Sequence, residues 1–118
     1  MNLKLSDFAA LTDNPNVADK NGSTTIHYAV MKGHLEVVTL QLVRYLATFT
    51  DNPNVADNYG TTPIFYAAWS GHSEVVRYLA SLTDNPNEPA NNGKTAIDYA
   101  ENNGHNEIVQ FLQSYNKS

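Results

Sequence analysis

The residues of this chain best suited to metal binding or proton transfer are its histidines, and three of them recur after a glycine: His34, His72 and His105. A neutral imidazole is a common metal ligand and a general base near neutral pH. Side chains in equivalent places of successive packed helical units stand roughly 8–10 Å apart. A zinc ion holds its nitrogen ligands at about 2 Å, so two such imidazoles do not share one ion. The expected role of each is a hydrogen bond to backbone at its interhelical loop. His27, in Thr24-Thr25-Ile26-His27, is likewise expected to be a structural hydrogen-bonding partner. Asp98 and Glu101 pair two carboxylates on a helix surface, where solvation is the expected fate. No Ser-His-Asp or Cys-His arrangement has catalytic spacing. The six glycines fall one per turn and one per helix end, which leaves no phosphate-cradling loop. The chain is expected to be no enzyme and to hold no metal or cofactor.

Composition narrows the partners. The formal net charge is −5 over 118 residues, which disfavours a phosphate backbone or an anionic membrane. The Lys and Arg residues (Lys4, Lys20, Lys32, Arg44, Arg77, Lys94 and Lys117) are scattered with no basic run, so nucleic-acid binding is not expected. There is no cysteine, hence no disulfide framework or thiolate site, which fits a reducing compartment. The first residues lack the apolar stretch of a signal peptide, and no segment reaches the length of a membrane span. A soluble, cytoplasmic protein is expected.

The elements that carry these residues are repeated. Thr-Asp-Asn-Pro-Asn occurs at Thr12 to Asn16, Thr50 to Asn54 and Thr83 to Asn87. Gly-His recurs at Gly33, Gly71 and Gly104, steps of 38 and 33 residues, so the first unit holds five extra residues. Each unit opens with a turn closed by glycine: Asp19-Lys20-Asn21-Gly22, Asp57-Asn58-Tyr59-Gly60 and Ala90-Asn91-Asn92-Gly93. A first helix should follow over 25–32, 63–70 and 96–103, with Thr62 capping Pro63 in the middle unit. A second helix should begin near Leu35, Ser73 and Asn106. Its apolar stripe in the middle unit is Val75, Val76, Leu79 and Leu82. Neither helix can bury its face alone, so stacking of units must build the core.

The middle unit, DNYGTTPIFYAAWSGHSEVVRYLASL, resembles the ankyrin repeat, whose marks are a period near 33 and a T-P-L-H-x-A signature. The first unit keeps His27 but has Thr25 for proline, and the third has Ala96 for proline and Asp98 for histidine. The resemblance implies an all-α solenoid of helix-turn-helix units with β-turn-like loops. Its parts would be a partial N-terminal repeat over 1–18, in which Leu5, Phe8 and Leu11 take the slots of Val76, Leu79 and Leu82, and repeats over 19–56, 57–89 and 90–118. Where the family joins repeats through Gly-Ala-Asp-x-Asn, this chain uses TDNPN. Asn tolerates a left-handed backbone and Pro fixes the chain after the helix, so the shape should be kept.

The resemblance also implies a function, recognition of another protein through the concave face of turns and first helices. The residues it assigns there are Lys20, Asn21, Ser23, Met31, Lys32, Asn58, Tyr59, Thr61, Trp69, Ser70, Asn91, Asn92, Lys94 and Asn102. Trp69, Tyr59 and Met31 form the candidate hot spot, since Trp and Tyr are enriched in that role. The alternative is a structural solenoid that pairs with a second copy through residues 38–49. In the first unit HLEVVTLQLVRYLATF stands against HSEVVRYLASL. Five residues turn a helix by about 500°, a net rotation of roughly 140°. Val37 and Val38 therefore cannot share a core-facing stripe with Leu46 and Phe49. The insert lacks loop residues, which predicts a longer helix with a π-type bulge or kink that exposes Leu40, Leu42 or Val43.

Overall fold

The computed structural model describes residues 20–33, 35–50 and 52–115. The expected N-terminal partial repeat with Leu5, Phe8 and Leu11, the first TDNPN, and His34 lie outside the described residues. The described residues form six helices and no strand: α1 (Thr25–Lys32), α2 (Glu36–Ala47), α3 (Pro63–Ser70), α4 (Ser73–Ala80), α5 (Ala96–Asn102) and α6 (Asn106–Tyr115). The odd-numbered helices pack side by side as an inner layer, and the even-numbered ones stack behind them. Between the layers lies one core, built in successive repeats from Ile26, Val30, Val43 and Leu46, then Ile64, Val76 and Leu79, then Ala96, Ile108 and Leu112. Leu82, expected in the stripe, is 44% exposed, because α4 ends at Ala80 and the chain turns away.

The inner helices begin on Thr24, Thr62 and Thr95, each in extended conformation. Thr95 Oγ1 accepts from the Asp98 N–H while Asp98 Oδ2 accepts from the Thr95 N–H at 2.8 Å, a reciprocal capping box. His27 fills the same role in α1, its Nδ1 accepting from the Thr24 N–H at 3.0 Å. That bond leaves the proton of a neutral imidazole on Nε2, which donates to the Thr61 carbonyl of the next repeat at 2.9 Å. His27 is fully buried and structural, as expected. Phe65 holds the equivalent place in α3 and cannot reciprocate. Thr62 is the N-cap of α3, as expected, but makes no side-chain capping bond; Pro63 at the first helical position presets the helical φ.

The turns are laid edge to edge. Asn58 N–H donates to the Asn21 carbonyl at 2.7 Å, and Asn91 N–H to the Tyr59 carbonyl at 2.9 Å. Both side chains repeat the bond, Asn58 Nδ2 to the Lys20 carbonyl and Asn91 Nδ2 to the Asn58 carbonyl, each at 3.0 Å. Gly60 has φ +78°, and a Cβ there would meet Asn91 Oδ1 at 2.7 Å, so glycine is required twice over. The described residues of the second and third TDNPN segments are held differently from the expectation. No described residue other than glycine has a positive φ. Their final Asn instead reaches forward to the next outer helix: Asn54 Nδ2 donates to the Leu79 carbonyl at 2.9 Å and Asn87 Nδ2 to the Leu112 carbonyl at 3.0 Å. These carbonyls lie at helix C-termini, where intrahelical partners run out.

The extra residues of the first unit lengthen the outer helix, α2 having 12 residues against 8 in α4. The helix is regular α throughout, so the expected bulge is absent. Phase is lost before the insert rather than within it. Val43 and Leu46 are fully buried, while Val37 and Val38 stand 69% and 56% exposed. Counted back from the shared Arg-Tyr-Leu-Ala, TLQLV takes the slots of HSEVV, and the matching string HLEVV is pushed out of register. Thr39, 3% exposed, thereby occupies the place of His72. Gly33 reflects the change: Gly71 closes α3 in the left-handed region at φ +84°, whereas Gly33 is extended at φ −69°. A Cβ on Gly33 would run into the Thr39 side chain, so glycine is kept there for space.

Candidate partner-binding groove

Of the expected contact residues, Met31, Thr61 and Trp69 come together. They line one open groove of about 360 Å³ with Phe65, Tyr66 and Tyr99. Met31 and Trp69 sit at the same place near the ends of α1 and α3, so one helix spacing separates them across the groove. Phe65 and Tyr99 meet within it, their rings in edge-to-face contact at 5.7 Å and 72°. Trp69 is 55% exposed, while Phe65 is buried. The Trp69 backbone is tied down from the next repeat, its carbonyl accepting from Asn103 Nδ2 at 2.8 Å and from His105 Nε2 at 3.1 Å. The indole is thus presented from a fixed backbone without being covered.

Tyr66 completes the wall. Its hydroxyl donates to Asp57 Oδ2 at 3.4 Å, and its ring meets His27 edge-on at 6.1 Å. Burial, then the Asp57 carboxylate, pushes the phenol up to about 12, so it stays neutral at physiological pH. Asp57 Oδ1 accepts from the Tyr59 and Thr61 N–H groups at 2.9 and 3.0 Å. One buried carboxylate therefore holds both the turn and the groove wall. In the third repeat, where Ala90 replaces that Asp, Asn92 Oδ1 accepts from the Lys94 N–H at 3.0 Å.

The remaining expected residues separate by environment. Tyr59 is 61% exposed on its turn but is not among the groove walls. Lys20, Asn21, Asn58, Asn91, Asn92 and Lys94 are exposed on the turns, and Lys32 and Asn102 at the ends of α1 and α5, with Ser70 partly covered. Ser23 is only 7% exposed and offers little to a partner. Asn58 and Asn91 spend their amide donors on neighbouring turns. Phe65, Tyr66 and Tyr99 were not among the expected residues. The available signal was that aromatic Phe65 occupies the slot where His27 stands in the first repeat.

The three described histidines, His27, His72 and His105, all bond backbone. His72 Nε2 pairs with the Gly33 carbonyl at 3.3 Å, as His105 does with that of Trp69. Each reaches back to backbone at the end of the preceding repeat's inner helix, Gly33 at its C-cap and Trp69 in its last turn, the backbone role expected of it. Among the described residues no three His, Asp or Glu side chains are grouped to hold a metal ion. No helix among them is long and apolar enough to cross a membrane.

Stacked helix pairs, bonded turn to turn around a fixed inner groove, define a helical-repeat binding scaffold. A family profile described as ankyrin repeats (3 copies) matches residues 4–90, and one described as ankyrin repeat matches residues 92–117. The chain belongs to the ankyrin-repeat family. Ankyrin repeats are generally protein–protein interaction modules. No curated protein matches the chain significantly.

Proposed function

We propose that this chain is a non-catalytic recognition module that binds a partner protein through its concave face, anchored at the Met31–Trp69 groove. The observation that carries the reading is the half-exposed indole beside an open aromatic cleft, on a backbone fixed by Asn103 and His105. A preordered site loses little conformational freedom on association, so its contacts appear as affinity. Repeats over 19–56, 57–89 and 90–118 supply the face, and a reducing, cytoplasmic setting fits a chain without cysteine. The test is affinity capture with the intact chain beside its Trp69→Ala variant. Partners retained by the first and lost by the second support the reading. Partners retained equally by both, with the variant folded, refute it.

A second reading rests on α2. Leu35, Val37 and Val38 are 68%, 69% and 56% exposed, with Tyr45 and Phe49 exposed on the same helix and its C-terminal turn. Apolar surface of this kind promotes association. On this reading two copies pair through α2, near residues 38–49. Light scattering across a concentration series decides it: a monomer at all concentrations ends it, and a dimer abolished by Val37→Ser with Val38→Ser supports it.

A further inference from the structure

The chain is acidic overall, yet the face assigned to partner binding is not. Lys20 and Lys94 lie exposed on turns, and Lys32 follows groove-lining Met31 in sequence. Lys94 takes in the third repeat the slot that Thr61, a groove residue, takes in the second. Three of the seven basic residues thus stand on this face. The described carboxylates, Glu101 apart, are elsewhere or at least partly covered. Asp57 keeps its charge but is only 7% exposed, accepting from the Tyr59 and Thr61 N–H groups and the Tyr66 hydroxyl. Asp98, in the slot of Phe65, keeps its charge but is partly covered, accepting from the Thr95 N–H and hydroxyl. Glu36, Glu74 and Glu107 lie on the outer helices, and Asp84 and Glu88 in the following linker. Glu101 is exposed and takes the slot of Ala68, which is fully buried in the repeat before and is not among the groove-lining residues. On a net negative molecule, the exposed charges on the described turns and at the end of α1 are thus ammonium groups, near an aromatic cleft.

We propose that the groove binds an acidic, extended segment of a partner protein. One large apolar side chain enters between Met31 and Trp69, and carboxylates on either side of it meet Lys32 and Lys94. The proposal rests on the concave-face reading and adds the chemistry of the partner. The aromatic walls supply the anchor energy. The exposed lysines act mainly by steering and by excluding basic segments, so their contribution falls as salt rises. A polyanion such as single-stranded nucleic acid is disfavoured, because three separated ammonium groups on a molecule of charge −5 release few counterions.

The experiment is selection of a random-sequence peptide library on the intact immobilised chain. Enriched peptides are then synthesised and titrated by fluorescence anisotropy at low and high salt. The expected peptides combine an aromatic or large aliphatic residue with net negative charge. Their affinity should fall by about tenfold or more with Lys32→Glu plus Lys94→Glu, the variant's melting temperature being unchanged because both side chains are exposed. Peptides that need Trp69 but are neutral or basic, or that ignore the lysine reversals, overturn the acidic-segment proposal and leave the groove standing. Peptides indifferent to Trp69→Ala overturn the groove reading itself. An oligothymidylate that displaces a selected peptide at near-physiological salt would reassign the ligand to nucleic acid.

Discussion

Trp69 and Val38 are almost equally exposed, at 55% and 56%, yet they sit in opposite settings. Trp69 stands at the mouth of a cleft whose walls and backbone are fixed from the neighbouring repeats. Val38 lies on a flank of α2 that exists only because the first unit is longer than its neighbours. The first exposure is built by the scaffold; the second is what remains when two strings compete for one set of core slots. Exposed apolar area alone does not mark a binding site. A cleft and a fixed backbone are what favour Trp69 in the proposed reading.

The largest expected effect lies in the core beneath that flank. Val43→Asp buries a charge with no partner and should cost about 3 kcal/mol or more of stability, whereas Val38→Asp should fall within about 0.5 kcal/mol of wild type. Chemical denaturation of the two variants checks the contrast. Equal losses would mean that HLEVV, not TLQLV, supplies the core. On the other side of the comparison, Trp69→Ala should weaken partner binding by about 1–3 kcal/mol. Asn102→Ala, the same slot one repeat later, should change it little. Comparable losses at the two positions, measured by calorimetry, would spread recognition evenly along the face and dissolve the groove as its centre.

A smaller effect is expected at Glu36. The extra turn of α2 brings its Oε1 to the Glu74 N–H at 2.7 Å, in the first turn of α4, where a carboxylate also meets the positive end of the helix dipole. Glu36→Ala should cost about 0.5–1 kcal/mol; no loss in a thermal melt would leave the longer helix without this compensation. At neutral pH the least is expected from the ionisation of Tyr66. Its phenol ionises near 10 when unfolded and at about 12 when folded, so the unfolded chain releases its proton first. The stability that Tyr66 contributes is complete below pH 10 and declines as pH rises towards 12. Tyr66→Phe should flatten that decline in the difference between the two denaturation profiles.

Much of the architecture was legible because each repeated string performs one local task. The threonines before the inner helices, the glycines in the turns and the Gly-His pairs mark boundaries that agree with the helices to within a residue or so. The phase of α2 was not legible, because HLEVV and TLQLV carry the same apolar pattern and either fits the slots of HSEVV. The choice falls to what lies after them: covalent continuity with Arg44 to Ala47, burial of Leu46, and close packing of Thr39 on Gly33. Pattern alone contains none of that. In the groove, repeat position exposed Met31, Thr61 and Trp69. It hid Phe65, Tyr66 and Tyr99, which read as ordinary inner-helix residues until the neighbouring repeat is laid beside them.

Trp69 is the only tryptophan of the chain, so its fluorescence reports directly on the groove. Emission and acrylamide quenching of the intact protein should be followed while a captured partner, prepared free of tryptophan, is titrated to saturation. If the groove anchors recognition, emission moves to shorter wavelength and quenching falls as the indole leaves water. A saturated complex in which Trp69 keeps the emission and quenching of the free protein would contradict the account.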